Sequence, residues 1–222
     1  LDFEYMRWIA AVLDSHIQIH LNPEKLRITH LGGGACSLAR YCADVYPSSR
    51  NTVVELDAKL AEYVRDWFDI PKSPRVKIRV GDAGAVTRSF APASRDVVIR
   101  DVFAVDKTPA ELTGVDFVRT VDNSLAPGGL YILNCGDDRA LNSARAEAAA
   151  LLEMFEYVSI VADSAMLKGR RRGNIILAGS HVPLPQLGSA EAASISRVLM
   201  GGGVPAQYWD TEKVRVFARK GT

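Results

Sequence analysis

The pattern of apolar and polar positions changes its period repeatedly along the chain. Short runs of consecutive apolar residues, typical of buried strands, alternate with segments whose apolar residues recur every three or four positions, typical of helices. The predicted strands are Arg27–Leu31, Thr52–Leu56, Val76–Val80, Asp96–Asp101 and Leu130–Asn134. The predicted helices are Ser37–Val45, Ala58–Phe68, Val115–Leu125 and Arg139–Phe155. This alternation predicts a parallel sheet with helices on both faces.

The alternation ends in a different pattern. Tyr157–Ala162 and Asn174–Ser180 are both strand-like, and the segment between them, Asp163–Gly173, shows no helical pattern. Two such runs predict an antiparallel hairpin. We therefore expect an α/β fold with a doubly wound, mostly parallel, seven-stranded sheet that ends in a C-terminal hairpin. Class I S-adenosylmethionine-dependent methyltransferase domains have this arrangement, and the analogy rests on the order of strands and helices alone.

The two ends of the chain flank this core. Phe3–Leu13 has helical spacing, while His16–Leu21 fits more than one element. Near the C-terminus, Ala190–Met200 predicts a helix and Lys213–Ala218 predicts a short strand.

These patterns predict one catalytic domain over residues 1–182, with residues 183–222 as an extension packed on the same domain. Because the chain starts at Leu1 without a methionine, we expect it to be part of a longer protein.

Composition narrows the class of protein. The 222 residues are 48% hydrophobic and 24% charged, with a net charge of +1, so charge alone favours neither nucleic acid nor membrane as a partner. The apolar runs are too short to cross a bilayer. Three cysteines without a CxxC pair favour a reducing compartment, and we expect the cytoplasm.

The stretch "ITHLGGGACSLARY", residues 28–41, joins the first predicted strand to a helix through Gly32, Gly33 and Gly34. Such a turn lets backbone N–H groups approach a ligand at a helix N-terminus. Glu55 ends the next strand, 21 residues after Gly34, where a carboxylate can accept hydrogen bonds from ribose hydroxyls. Together they predict a nucleoside site.

Two further carboxylates end strands at the same predicted edge. Asp82 follows the third strand, where it could accept a hydrogen bond from an adenine amino group. Asp101 ends the fourth strand, where a carboxylate can bind an amine and accept its proton. Each has a simpler interpretation: Asp82 and Asp101 as helix caps or turn residues, and Glu55 as a solvated strand end. The acid at Asp82 favours an S-adenosyl compound over a dinucleotide.

These stretches resemble the polyamine aminopropyltransferases, or spermidine synthases. The family's "DEFxYHE", "GGGDGG", "VExD", "DG" or "DA" and "DxxDP" segments match, in order, "LDFEYMRW", "LGGGACS", "VVELD", "GDA" and "IRDVFAVD". The similarity spans about residues 2–180. It is greatest to the spermidine-synthase-like proteins of actinobacteria, which share "GGGA" and "GRRxGN" patterns.

The resemblance implies a role for each matched residue. The nucleoside-binding residues would be Gly32, Gly33, Gly34, Glu55, Asp82 and Ala83. Asp101 would be the catalytic carboxylate, and Tyr5 would help to hold the amine.

The chain also departs from the family pattern. Ala35 replaces the loop aspartate that holds the aminopropyl amine, and Met6 replaces the histidine after the tyrosine. Ala104 replaces the second aspartate of "DxxDP", and the proline is missing. Asp106, two residues further on, is a candidate substitute for substrate binding.

The resemblance implies transfer of the aminopropyl group of decarboxylated S-adenosylmethionine to an amine such as putrescine, with release of methylthioadenosine. Because of Ala35, methyl transfer from S-adenosylmethionine is a second hypothesis, and a non-catalytic nucleoside- or polyamine-binding module is a third. We expect small-molecule amine and nucleoside substrates, no tightly bound cofactor, no metal, and no nucleic acid or membrane partner. A homodimer is left open.

Three other features carry simpler interpretations. The basic run "KGRRRGN", residues 168–174, is expected to be a solvated hairpin tip, with contact to an acidic ligand or nucleic acid as the alternative. His16 and His20 lack an evident third metal ligand, and Cys36 is expected to fill space in the glycine turn.

Overall fold

The computed structural model describes residues 1–105 and 107–219. Within them, eight strands form one sheet in the order β3-β2-β1-β4-β5-β7-β6-β8. The strands are β1 (Arg27–Leu31), β2 (Arg50–Glu55), β3 (Val76–Val80), β4 (Arg95–Arg100), β5 (Leu125–Asp137), β6 (Tyr157–Asp163), β7 (Gly173–Ser180) and β8 (Ala206–Trp209).

Helices connect the strands and cover the sheet. They are α1 (Glu4–His20), α2 (Ser37–Val45), α3 (Ala58–Trp67), α4 (Ala83–Arg88), α5 (Gly114–Ser124), α6 (Asn142–Met154), α7 (Ser164–Leu167), α8 (Ala190–Met200) and α9 (Thr211–Arg219). Two 3₁₀ turns lie at Pro23–Lys25 and Ala110–Leu112. Side chains cap two of the helix starts: Asp57 accepts N–H bonds at α3 and Ser189 does so at α8.

The first five strands run parallel, and β7 pairs antiparallel with both β5 and β6. The expected doubly wound α/β sheet and its hairpin are therefore confirmed. The sheet reverses its direction of winding between β1 and β4, the place where α/β sheets bind ligands. The central strands are apolar and almost fully buried, because helices pack on both of their faces.

Three expectations need correction. The sheet has an eighth strand, β8, which pairs antiparallel with β6. The predicted strand Lys213–Ala218 is wrong, since this segment lies in α9, where Val214 and Phe217 face the core at helical spacing. The hairpin connection contains the single helical turn α7, which Asp163 caps by accepting bonds from the N–H groups of Ala165 and Met166.

The ambiguous segment after the first helix is also settled. Residues 16–20 continue α1, and His16 is buried in it at 1% exposure. The imidazole of His16 lies 2.8 Å, through Nε2, from the carbonyl oxygen of Gly128. Helix α1 therefore covers one face of the sheet and brings its N-terminal residues to the edge where β1 and β4 end.

Candidate functional site

Strand register brings the candidate residues to one edge of the sheet. Leu31, the last residue of β1, pairs with Val54 on one side and with Arg100 on the other. Gly32, Glu55 and Asp101 come one position later on their three strands, so they are neighbours. The sequence could predict that all three residues lie at strand ends. The strand register shows in addition that these ends are adjacent.

A cavity of about 640 Å³ opens at this edge. Its lining contains every predicted site residue that the structure describes: Tyr5, Gly32, Gly33, Gly34, Glu55, Asp82, Ala83 and Asp101. Asp106, the predicted additional substrate-binding residue, lies outside the described residues. The volume is within the range of ligand sites in proteins, and polar groups converge on an apolar lining.

The glycine turn is shaped by close contact with the end of β4. Gly32 has φ +87°, and a Cβ atom there would lie 2.2 Å from the carbonyl oxygen of Asp101. Only glycine fits such a position, because both the backbone angle and the contact exclude a side chain. Gly34 also has a positive φ, +46°, but a Cβ atom at Gly34 would meet open space.

Glu55 holds the glycine turn in place. Its Oε2 accepts hydrogen bonds from the backbone N–H groups of Gly33 at 3.0 Å and Gly34 at 3.1 Å, and Oε1 accepts one from Asp57 at 3.0 Å. Each carboxylate oxygen can accept more than one hydrogen bond, so ribose hydroxyls remain possible partners. Glu55 is thus a half-buried strand end that binds the glycine turn.

Asp82 begins helix α4. Its Oδ1 accepts a hydrogen bond of 2.7 Å from the N–H of Ala85, which is the capping role considered from the sequence. The same side chain lines the cavity beside Ala83. Capping uses Oδ1 only, and a carboxylate has a second oxygen that can accept a bond from a ligand.

Asp101 is held by two side chains from distant parts of the chain. The hydroxyl of Tyr5 donates to Oδ2 at 3.1 Å, and Nδ2 of Asn134 donates to Oδ1 at 2.9 Å. Burial raises the pKa of the Asp101 carboxyl above its ordinary value, and these two hydrogen bonds together with Arg100 oppose that rise. Burial and Asp101 itself also raise the pKa of Tyr5, so the tyrosine stays a donor.

Sequence inspection missed Asn134 and the ion pair below it. Asn134 is a polar residue inside the apolar strand "LYILNC", and that interruption was the available signal. Arg100, similarly set in "DVVIRD", is fully buried and pairs with Glu147 of α6 at 2.5 Å. Arg100 also donates to the carbonyl of Leu112. This pair fixes β4 beneath Asp101.

Part of the cavity lining is apolar. Phe3, Met6 and Phe103 contribute to this part, and Ala35 and Ala104 stand where the resembled family has carboxylates. The 3₁₀ turn that contains Glu111 packs instead against α4, on the Asp82 side. Among the described residues, neither Ala35 nor Ala104 therefore adds a carboxylate to Asp101 in this lining.

The remaining candidates have structural roles. Cys36 is buried in the turn, and burial raises the pKa of its thiol to about 11. The rings of His16 and His20 each approach a backbone carbonyl, of Gly128 and Pro183. Within residues 1–105 and 107–219 no cluster of three or more metal-ligating side chains occurs. No helix in that part of the chain combines the length and apolarity that a membrane span requires.

Comparison with known proteins adds independent information. No protein-family profile matches the chain. The crystal structure of a probable spermidine synthase from Corynebacterium glutamicum is 60% identical in sequence, with a TM-score of 0.96. That alignment covers 98% of this chain and 78% of the other.

Two curated relatives indicate two related chemistries. The eEF1A lysine and N-terminal methyltransferase of Mus musculus is 30% identical over 200 residues, which is 85% of this chain and 27% of the relative. The polyamine aminopropyltransferase of Vibrio vulnificus is 26% identical over 134 residues, 60% of this chain and 43% of the relative. The chain thus spans about a quarter of the first relative's length and less than half of the second's.

Proposed function

The chain belongs to the spermidine synthase family, and on that basis we propose that it transfers the aminopropyl group of decarboxylated S-adenosylmethionine to an amine. The observation that carries the proposal is that the glycine turn, Glu55 and Asp101 converge on one cavity. A nucleoside over the turn, with its ribose at Glu55, would present its sulfonium toward Asp101.

In this mechanism the donor lies across the switch point of the sheet. Gly32, Gly33 and Gly34 let the backbone approach the nucleoside, and Glu55 accepts hydrogen bonds from its ribose. Asp82 and Ala83 flank the adenine. Binding energy at these groups aligns the C–S bond with the incoming amine, and such alignment supplies a large share of the rate.

The chemical step is a displacement at carbon. The lone pair of the neutral amine forms a C–N bond to the propyl carbon next to sulfur, and the C–S bond breaks. The bonding electrons pass to the sulfonium, which leaves as the neutral thioether methylthioadenosine. The nitrogen, now positively charged, loses a proton to Asp101, which Tyr5 and Asn134 orient. The raised pKa of Asp101 favours this proton transfer.

A second candidate is methyl transfer from S-adenosylmethionine. Ala35 favours it, because this uncharged side chain does not repel the carboxylate that distinguishes S-adenosylmethionine from its decarboxylated form. The similarity to a methyltransferase over 85% of the chain supports the same candidate.

A transfer assay separates the candidates. Purified protein is incubated with either donor and a panel of amines, and mass spectrometry follows methylthioadenosine, S-adenosylhomocysteine and the modified amine. Methylthioadenosine together with an aminopropylated amine supports the proposal, whereas S-adenosylhomocysteine with a methylated amine supports the second candidate. If neither donor is consumed by protein that binds nucleoside, a binding module without catalysis is the better description.

A further inference from the structure

A second cavity adjoins the candidate site. It has a volume of about 1050 Å³, and Phe103 lines both cavities. Four cationic residues line it: Lys107, Arg139, Arg171 and Arg172. We call this second cavity the basic groove.

The basic groove starts close to Asp101. Its floor is the end of β5, where Gly136 and Asp137 pair with Asn174 and Gly173 of β7. Asn134, which donates to Asp101, lies two residues earlier on the same strand. At about 3.3 Å per residue the groove therefore begins about 7 Å along the strand from Asn134. A molecule of a few carbons that starts at Asp101 would reach it.

The carboxylates of the groove are engaged by the protein. Asp137 accepts a 2.7 Å bond from the N–H of Ala144, and Asp138 accepts a 2.8 Å bond from the N–H of Ala140. These bonds satisfy nearby backbone N–H groups. Both carboxylates line the groove together with its cationic side chains.

The cations are not all neutralised in the same way. Arg171 pairs with Asp163 at 2.5 Å, at the edge of the groove. Lys107 and Arg139 are exposed, and neither forms an ion pair with a described residue. Among the described lining residues, four cations stand against the two carboxylates, so the lining carries a surplus of positive charge. The surface is concave, and a bound anion would be less hydrated there than on an open hairpin tip.

This charge conflicts with a plain diamine as acceptor. With its first nitrogen at Asp101, a diamine would place its second ammonium toward Lys107 and Arg139, where like charges repel. The apolar wall of Phe3, Met6 and Phe103 offers that ammonium no carboxylate. Asp137 and Asp138 of the groove already accept backbone hydrogen bonds and lie among its cations. An anionic group at the far end of the acceptor would instead gain charge-assisted hydrogen bonds.

Resting on the proposed function, we propose that the basic groove binds an anionic group on the acceptor. The acceptor is then an amine that carries a carboxylate or a phosphate a few carbons from the reacting nitrogen, of the size of a basic amino acid. The run "KGRRRGN", which supplies Arg171 and Arg172, is on this account part of the acceptor site.

Matched ligand pairs test this inference by binding alone. Ornithine is putrescine with one added carboxylate, and lysine is cadaverine with one added carboxylate. Phosphoethanolamine and ethanolamine make the equivalent pair for phosphate. Calorimetry with protein saturated with methylthioadenosine should give at least about tenfold tighter binding for the anionic member of one pair, and that pair identifies the anion. Raising the salt concentration should reduce the preference.

Variants locate the effect in the groove. The double variant Lys107→Gln with Arg139→Gln should bring the two members of the pair to within about threefold of each other. Arg119→Gln is the control, since Arg119 lines neither cavity and pairs with exposed Asp116 on α5; it should leave the preference unchanged.

The outcomes separate this inference from the proposed function. Tighter binding of putrescine and cadaverine, no preference, or no amine binding by folded, methylthioadenosine-bound protein would each overturn the inference. A preference for the anionic amine without any aminopropyl transfer would keep the inference and count against the proposed reaction.

Discussion

The hydroxyl of Tyr5 donates a 3.1 Å hydrogen bond to Oδ2 of Asp101, across 96 positions of sequence. It joins helix α1 to the end of β4, and Asn134 occupies the other oxygen from β5. Two donors in different elements fix the orientation of a partly buried carboxylate that points into the cavity. Such a carboxylate is suited to accept a proton from a group bound beside it.

Replacing Asp101 should remove transfer while sparing the nucleoside site. Asp101→Asn keeps the shape of the side chain but cannot accept the amine proton, so kcat should fall roughly 100- to 10,000-fold. Methylthioadenosine affinity should change little. Single-turnover kinetics and calorimetry measure the two effects, and Asp116→Asn on the surface is the matched control. An Asp101→Asn enzyme with near-normal kcat would contradict the assigned role.

The acid limb of the pH profile, where kcat/KM falls with falling pH, should lie at a higher pH than an ordinary aspartate would give. Burial raises the pKa of Asp101, and the protonated form cannot take the amine proton, so kcat/KM should fall as the pH drops through this raised pKa. Tyr5→Phe removes a hydrogen bond that favours the carboxylate and should move the limb to still higher pH. A limb that stays in place in Tyr5→Phe would show that the 3.1 Å contact has no influence on Asp101.

Glu55 should matter for both the loop and the ligand. The amide nitrogen of Glu55→Gln cannot accept the bonds that Gly33 and Gly34 donate, and one ribose hydroxyl loses its partner. We expect methylthioadenosine to bind about 10- to 100-fold more weakly, measured by calorimetry. Glu62→Gln, an exposed change on α3, should leave binding unaltered. An equal loss of methylthioadenosine affinity in both variants would show that Glu55 has no specific role in binding.

The two outer glycines of the turn should respond differently to alanine. In Gly32→Ala the new Cβ meets the Asp101 carbonyl oxygen at 2.2 Å and φ is +87°, so unfolding free energy should fall by about 2–5 kcal/mol. In Gly34→Ala only the backbone angle is unfavourable, at about 1–2 kcal/mol. Chemical denaturation measures both. A larger loss at Gly34 would contradict the turn geometry.

Two buried histidines should make the protein less stable in mild acid. Burial lowers the pKa of His16 and of His30 to about 4, so between pH 6.5 and 4 the unfolded chain binds more protons than the folded one. Unfolding free energy should therefore fall as the pH falls through this window, by up to the order of 3 kcal/mol per histidine.

Substitution isolates one histidine's share of that loss. Burial raises the pKa of Asp14 and Asp101, and these groups act with the opposite sign, gaining protons in the folded state as the pH falls. Comparing wild type with His30→Gln cancels their contribution. As the pH falls from 6.5 to 4, the wild type should lose up to the order of 3 kcal/mol more unfolding free energy than the variant, measured by chemical denaturation at several pH values. An unchanged slope in His30→Gln would show that His30 is not the group responsible.

Several elements could be predicted with their exact bounds because local signals agree. Ala190–Met200 combines apolar periodicity with Ser189 before it and Gly201 after it, and Val76–Val80 is followed by a glycine. The prediction of a strand near the C-terminus was wrong because "KVRVFA" fits two patterns. It has the period of two of a strand, and Val214 and Phe217 also have the i, i+3 spacing of a helix. Tertiary packing decided between them.

For the site, sequence reasoning could identify residues that end strands, because the ends of parallel strands meet at one edge. It could not identify Asn134 or the pair of Arg100 with Glu147, since these contacts depend on which strands and helices become neighbours. Nor could it identify the basic groove, whose cations come from the loop after β4, the end of β5 and the hairpin before β7.

The most direct test of the central claim is calorimetry of the folded protein with methylthioadenosine, decarboxylated S-adenosylmethionine and S-adenosylmethionine side by side. The aminopropyltransferase account predicts that methylthioadenosine binds and that the decarboxylated donor binds more tightly than S-adenosylmethionine. Equal or tighter binding of S-adenosylmethionine would transfer support to methyl transfer. Failure of all three ligands to bind would contradict the nucleoside site itself.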